Sequence, residues 1–144
     1  MAGETIDLTI VTPERSLIRE QVDELQIPGA AGYFGVLPGH APLFSELKIG
    51  EVSYRQGDRW SFVSVAWGFV EVQPNLVRIL AETAERAHEI DVERANRAKE
   101  RAEQRIAKGG QGGEDIDYRR ALVALERALI RIQVAAKAHH RIRT

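Results

Sequence analysis

Cysteine is absent from the 144 residues, which excludes disulfides and thiolate metal sites and leaves burial alone to hold the fold. No stretch approaches the roughly 20 apolar residues that a membrane-spanning helix needs, so a soluble chain is expected. The opening MAGETIDLTI has no basic segment before an apolar run, and without the layout of a secretory signal a cytoplasmic setting is the simplest expectation. A length of 144 residues allows one substantial core and an appendage, which argues against a multidomain catalyst. Histidines are few and scattered: His40 stands alone, His88 lies in a connector, and the adjacent His139 and His140 would point about 100° apart on a helix. Neither a metal site nor a histidine-centred catalytic constellation is expected from them.

What is present is unevenly distributed. The net charge of −1 divides into −6 for residues 1–85 and +5 for residues 86–144. Of the nine aromatic residues only Tyr118 lies in the second part, where alanine and arginine take over. This shift marks a boundary between a domain at 1–85 and a second at 86–144 that meets different partners. The basic part is interspersed with acids and lacks interleaved aromatics, so nucleic acid is not expected as a partner.

In the first part apolar residues alternate in period two, at Ile6, Leu8 and Ile10, and again at Leu25 and Ile27, Val52 and Tyr54, Trp60 and Phe62, Val70 and Val72, and Val77 and Ile79. Pro13, Pro28-Gly29, Gly57-Asp58 and Pro74-Asn75 punctuate these runs as turns. Many short strands at this spacing imply an antiparallel β-sandwich or barrel, with Trp60, Phe62, Trp67 and Phe69 expected to fill its core.

The second part is helical except at Gly109-Gly110-Gln111-Gly112-Gly113, where the chain is free to reverse. Helices are expected over 92–107 and 118–141, capped by Asp91 and Asp117. Tyr118, Leu122, Leu125, Leu129, Ile132 and Ala136 follow at spacings of 4, 3, 4, 3 and 4 and form the expected seam of an antiparallel hairpin, against Val92, Ala95, Ala98, Ala102 and Ile106. Arg120, Arg127 and Arg131 fall within about 40° of one another, opposite that seam. Val123, Ile130 and Val134 make a second apolar row, a surface that needs a further partner. The fold class is therefore α+β, an N-terminal sandwich followed by a C-terminal two-helix hairpin.

The glycine cluster at 109–113 is not a phosphate-binding P-loop, because Glu114 stands where the required Lys-Ser/Thr would begin. The segment Gly32-Tyr33-Phe34-Gly35-Val36-Leu37-Pro38-Gly39-His40-Ala41-Pro42-Leu43 has a rigidly shaped backbone, suited either to a sandwich corner or to a loop serving a surface. Together with an I-V-T-P start and a later G-F-V-E-V-Q-P-N, this string resembles the epsilon subunits of bacterial and chloroplast F-type ATP synthases, and the resemblance extends along the whole chain.

That resemblance implies a non-catalytic rotor subunit of the proton-translocating enzyme, peripheral to the cytoplasmic face of the cell membrane. Its sandwich would touch the gamma subunit and the c-ring through Gly32, Tyr33, Phe34, Leu37 and His40, with Tyr33 where the family often has a charged or polar residue. Its hairpin would inhibit ATP hydrolysis when extended into the alpha/beta catalytic head, presenting Arg120, Arg127 and Arg131 to beta. Some bacterial members bind ATP in the compact hairpin through an I-D-x-x-R-A motif, which Ile90-Asp91-Val92-Glu93-Arg94-Ala95 fits. The implied ATP set is Glu85, Ile90, Asp91, Arg94, Ala95, Arg101, Arg127 and Arg131, with ATP as a regulatory ligand and no cofactor. Converging arginines suit a polyphosphate. Two plainer readings stand beside these: helix capping accounts equally for the hexapeptide and for its second copy at Ile116 to Ala121, and arginine rows are often solvated helix faces. The functional alternative is a free-standing ATP-sensing module.

Overall fold

The computed structural model describes residues 4–109 and 115–138. Eight strands come first: β1 (Ile6–Val11), β2 (Ser16–Val22), β3 (Glu24–Gly29), β4 (Gly32–Val36), β5 (Leu43–Leu47), β6 (Gly50–Gln56), β7 (Arg59–Gln73) and β8 (Leu76–Arg86). A 3-10 turn at Ala87–Glu89 leads into α1 (Val92–Lys108) and α2 (Asp115–Lys137). The α+β class holds, with the strands forming a sandwich and the helices a hairpin laid against it.

The strands are hydrogen-bonded in the order β2-β1-β8-β7-β5-β3-β4, with β6 joining β3 to β7. Pairing is antiparallel except between β1 and β8, which run parallel. β5 and β6 lie end to end along the 15-residue β7, so Leu43 to Leu47 face Val72 to Gly68 and Gly50 to Gln56 face Val65 to Arg59. Between them the sheet turns a corner at Trp67 and Gly68, whose φ angles are 60° and 133°. A Cβ at Gly68 would collide with the Leu80 carbonyl oxygen, so glycine is needed there for both conformation and space.

Period-two alternation does what the sequence implies in β1, where Ile6, Leu8 and Ile10 are all fully buried. With Leu25, Ile27, Val52, Val70, Val72, Val77 and Ile79 they make an aliphatic core. The expected aromatic filling is corrected here: Tyr54 is the aromatic residue inside, whereas Phe69 is 46% exposed and Phe62 packs toward the helices. Ten β-branched and leucine side chains already close the narrow space between the layers, and rings are left to the outer faces. Trp60–Phe62 and Val70–Val72, expected as separate strands, belong to the single β7. Pro28 and Gly29 end β3, and the turn follows at Ala30 and Ala31.

The helical boundaries differ in an informative way. Asp91 is an N-cap, its side chain accepting from the Arg94 amide at 3.0 Å. Asp117 is not, because α2 already begins at Asp115. Gly109 caps the end of α1; the rest of the glycine cluster, and His139 and His140, lie outside the described residues.

Candidate functional site

Residues of β6, β7 and β8 that alternate away from the core form a platform. Val63, Val65 and Ala84 point inward, and Phe62, Ser64, Ala66 and Glu85 take the other side, with Ser64 directly opposite Glu85 in register. Glu51 lies likewise beside the inward Val52. The hairpin covers this platform.

Its two helices meet through alanines. Ala95 and Ala102 of α1 and Ala121 and Ala128 of α2 are buried, so the helices pack through small side chains. The α2 seam expected at Tyr118, Leu122 and Leu129 is corrected: these residues are exposed, as is Val92 of α1. The alanine row competes successfully because it fits beside Ala95 and Ala102, where leucine would hold the helices apart. Of the second apolar row of α2, Ile130 and Val134 have their partner within the chain, packing with Ile90, Ala87 and Phe62, whereas Val123 lines a groove on α2. Hydrogen bonds and a cation–π contact surround this small cluster. Arg131 Nε donates to Glu85 at 2.7 Å, Lys137 Nζ to Glu51 at 2.8 Å and Gln133 Nε2 to Glu51 at 3.3 Å, while Lys137 also lies 4.8 Å from the centre of the Phe62 ring.

Between platform and hairpin lies a cavity of about 640 Å³. Its floor includes Ile49, Ser64 and Ala66, and its helical wall carries Arg94 and Arg101 from α1 with Arg127 and Arg131 from α2. Arg131 is held by Glu85, but Arg94, Arg101 and Arg127 have no ion-pair partner among the described residues. Arg94, Arg101 and Arg127 are solvent-exposed, and three guanidinium groups around one space suit an anion. Arg127 and Arg131, expected opposite the seam, therefore face the sandwich here, because Ala124 and Ala128 beside them turn that side of α2 inward. Arg120 lines a second groove on α2 with Arg119 and Val123, which shares Ala124 and Arg127 with the cavity.

The expected ligand set thus separates into two groups. Glu85, Arg94, Arg101, Arg127 and Arg131 line the cavity; Ile90, Asp91 and Ala95 do not. Ile90 is an apolar anchor, Asp91 a cap and Ala95 part of the seam. Within the hexapeptide, Arg94 is the residue that lines the cavity.

Sequence reasoning missed the contribution of the β1–β2 turn, which brings Thr12, Glu14 and Arg15 to the cavity rim, as well as Ser64 and Thr83. Arg15 donates two bonds of 3.0 Å to Glu89, and Glu89 also accepts from the Arg86 amide at 3.0 Å. The Arg15 hydrogen bond holds the Glu89 carboxyl below the usual carboxylate range, against the opposing effect of burial. No local pattern marks Ser64 or Arg15, since both join the site through sheet pairing and a long-range fork.

The glycine-rich segment is elsewhere. Gly32 opens β4 with φ 120°, Tyr33 and Leu37 are exposed, Phe34 packs on the core, and His40 sets Nδ1 2.6 Å from the Ala41 carbonyl. The Tyr33 hydroxyl accepts from the Glu51 amide at 2.9 Å, so this strand is tied to the residue that docks Lys137. On the sandwich, Phe44 and Phe69 stack at 5.7 Å with both rings exposed.

Comparison with known proteins places both halves of the chain. Residues 5–87 match the model described as ATP synthase, Delta/Epsilon chain, beta-sandwich domain, and residues 88–136 match ATP synthase, Delta/Epsilon chain, long alpha-helix domain. The ATP synthase epsilon chain of Geobacter metallireducens is 48% identical over 136 residues, covering 94% of this chain and 97% of the relative. That of Geobacter sulfurreducens is 49% identical over the same length and coverage. Among solved structures, a chain of the Euglena gracilis mitochondrial ATP synthase (OSCP/F1/c-ring) matches with a TM-score of 0.74 at 25% identity, over 94% of this chain and 81% of its own. A chain of the Tetrahymena thermophila mitochondrial ATP synthase central stalk and c-ring shares the fold, with a TM-score of 0.54 at 14% identity, over 92% of this chain and 95% of its own.

Proposed function

The chain belongs to the ATP synthase delta/epsilon family, as an epsilon chain, and from that membership we propose that it is a non-catalytic central-stalk subunit whose hairpin senses ATP and restrains hydrolysis. In this reading the sandwich joins gamma to the c-ring through the Gly32 to His40 surface, at the cytoplasmic face of a proton-translocating complex. The hairpin inhibits when it leaves the platform and carries Arg120, Arg127 and Arg131 into the alpha/beta head. ATP favours the docked state.

One observation carries the sensing part: Arg94, Arg101 and Arg127, drawn from both helices and without ion-pair partners among the described residues, converge on a cavity that exists only while the hairpin is docked. A ligand bound there stabilises docking by mass action, by about 2.7 kcal/mol at a hundred times its Kd. Glu85 and Arg131 bridge platform and α2 at the same cavity, so extension would dismantle the site as it releases the helices. The cavity volume of about 640 Å³ is in the range that accommodates a nucleotide-sized ligand.

The restraining part is tested in the assembled complex, by comparing ATP hydrolysis with the full chain and with a chain ending at residue 87. Faster hydrolysis with intact assembly is expected of the shortened chain. Equal rates would remove inhibition from the hairpin's role.

A further inference from the structure

We infer that Tyr33 is a positioning residue for the hairpin: its hydroxyl fixes Glu51, Glu51 fastens the end of α2, and the exposed β4 surface is thereby coupled to hairpin docking. Tyr33 is 56% exposed, yet its hydroxyl is committed inside the fold, accepting from the Glu51 amide at 2.9 Å. Sheet pairing explains why a side chain serves there. The β3–β6 register runs from Glu24 opposite Arg55 to Gln26 opposite Ser53 and ends, and at Glu51 the tyrosine hydroxyl is the acceptor. Tyr33 faces Pro28 across β3 and β4, and a Cβ at Gly50 would collide with both the Tyr33 hydroxyl and Pro28. Glycine at position 50 thus leaves the space through which the ring reaches β6.

The carboxylate of Glu51 carries the hairpin. Glu51 is buried, and its side chain accepts from Lys137 Nζ at 2.8 Å and from Gln133 Nε2 at 3.3 Å. Gln133 and Lys137 stand one helical turn apart, so the end of α2 presents both to the same carboxylate. Lys137 also lies over the Phe62 ring, so carboxylate and ring together define its place. A buried amide that loses its acceptor is unfavourable and drives a local shift, and charge-assisted bonds depend on where the carboxylate stands. Loss of the Tyr33 hydroxyl is therefore felt at the far end of α2. By linkage the coupling is reciprocal, and release of α2 loosens Tyr33 in turn. It is a property of the chain alone, independent of any ligand in the cavity; in the proposed function it would connect the face turned toward the c-ring with the hairpin.

The test is amide hydrogen exchange of the full chain and of Tyr33→Phe, which keeps the ring and removes the hydroxyl. Exchange about fivefold faster in α2 from Ile130 to Lys137, with the β1 amides of Ile6, Leu8 and Ile10 unchanged, is the expected result. Unchanged exchange in α2, or equal acceleration in β1 and α2, would overturn the inference. A chain carrying Lys137→Met and Gln133→Leu separates positioning from general loosening: in that background Tyr33→Phe should add nothing at α2, and a further increase of the same size would overturn the inference. The reciprocal measurement keeps Tyr33 and so does not depend on how its variant folds. The Tyr33 ring signals and the Glu51 amide exchange should change when Lys137→Met and Gln133→Leu are introduced, and their staying as they were would contradict the coupling.

Discussion

Asp91 would matter to the proposed ATP site without lining the cavity. Its carboxylate caps α1 through the Arg94 amide and so fixes the start of the turn from which the Arg94 side chain reaches the cavity. Asp91→Ala should cost about 1 kcal/mol of helix stability. Hydrogen exchange in the first turn of α1 should accelerate accordingly, and ATP should bind more weakly through misplacement of Arg94. Arg127→Ala, by contrast, should weaken ATP binding without altering exchange in α1. Gly68 has a purely architectural role. Its φ of 133° and the Leu80 carbonyl above it mean that Gly68→Ala should lose at least about 2 kcal/mol in denaturant unfolding.

The Arg15–Glu89 fork adds a pH dependence of definite sign. Because the folded state lowers the Glu89 pKa, its stabilising contribution is complete above the ordinary carboxylate value, near about 4.3, and is lost as pH falls through the lowered one. Acid should loosen the Ala87–Glu89 turn, read by hydrogen exchange, and Arg15→Gln should remove most of that acid sensitivity.

Among the elements, the hairpin shows most clearly where a sequence pattern can mislead. Tyr118, Leu122 and Leu129 have the spacing and apolarity of a seam, yet Ala121 and Ala128 occupy it. Periodicity identifies a helix face but not its neighbour, and two alanine-rich helices approach each other more closely than leucine would permit. Ala128→Leu should therefore force the helices apart, at a cost of about 1 to 3 kcal/mol, and weaken ATP binding by spreading Arg101 from Arg127. The strands divide similarly. β1 was legible because Ile6, Leu8 and Ile10 alternate against a buried face. β4 and β5 were not, because in each only the last residue is fully buried and glycine or polar residues interrupt the pattern. The cationic side of the site was legible from arginines repeating on helical faces. Its floor was not, because Ser64 and Glu85 are 21 positions apart and meet through the β7–β8 register.

At the scale of the whole molecule, two domains are joined by modest means. A small apolar cluster around Ile90 and Val134, the partly exposed Arg131–Glu85 pair, worth about 0 to 1 kcal/mol, and the pair of Lys137 with the buried Glu51 hold the hairpin to the sandwich. An interface of that kind is held weakly enough for a ligand worth a few kcal/mol to decide its position. In the proposed function, the exposed row of Tyr118, Leu122 and Leu129 would be available to whatever receives the released helices. In the proposed function, gating by the hairpin would depend on the same contacts that build the cavity.

The most direct test of this coupling is an ATP titration of the full chain followed by backbone amide shifts, with an Arg94→Ala/Arg127→Ala chain in parallel. Saturable shifts at Glu85, Asp91, Arg94, Arg127 and Arg131, accompanied by slower hydrogen exchange across α2 and lost in the double variant, are the predicted result. Unchanged spectra at millimolar ATP, or the same response from both chains, would contradict it.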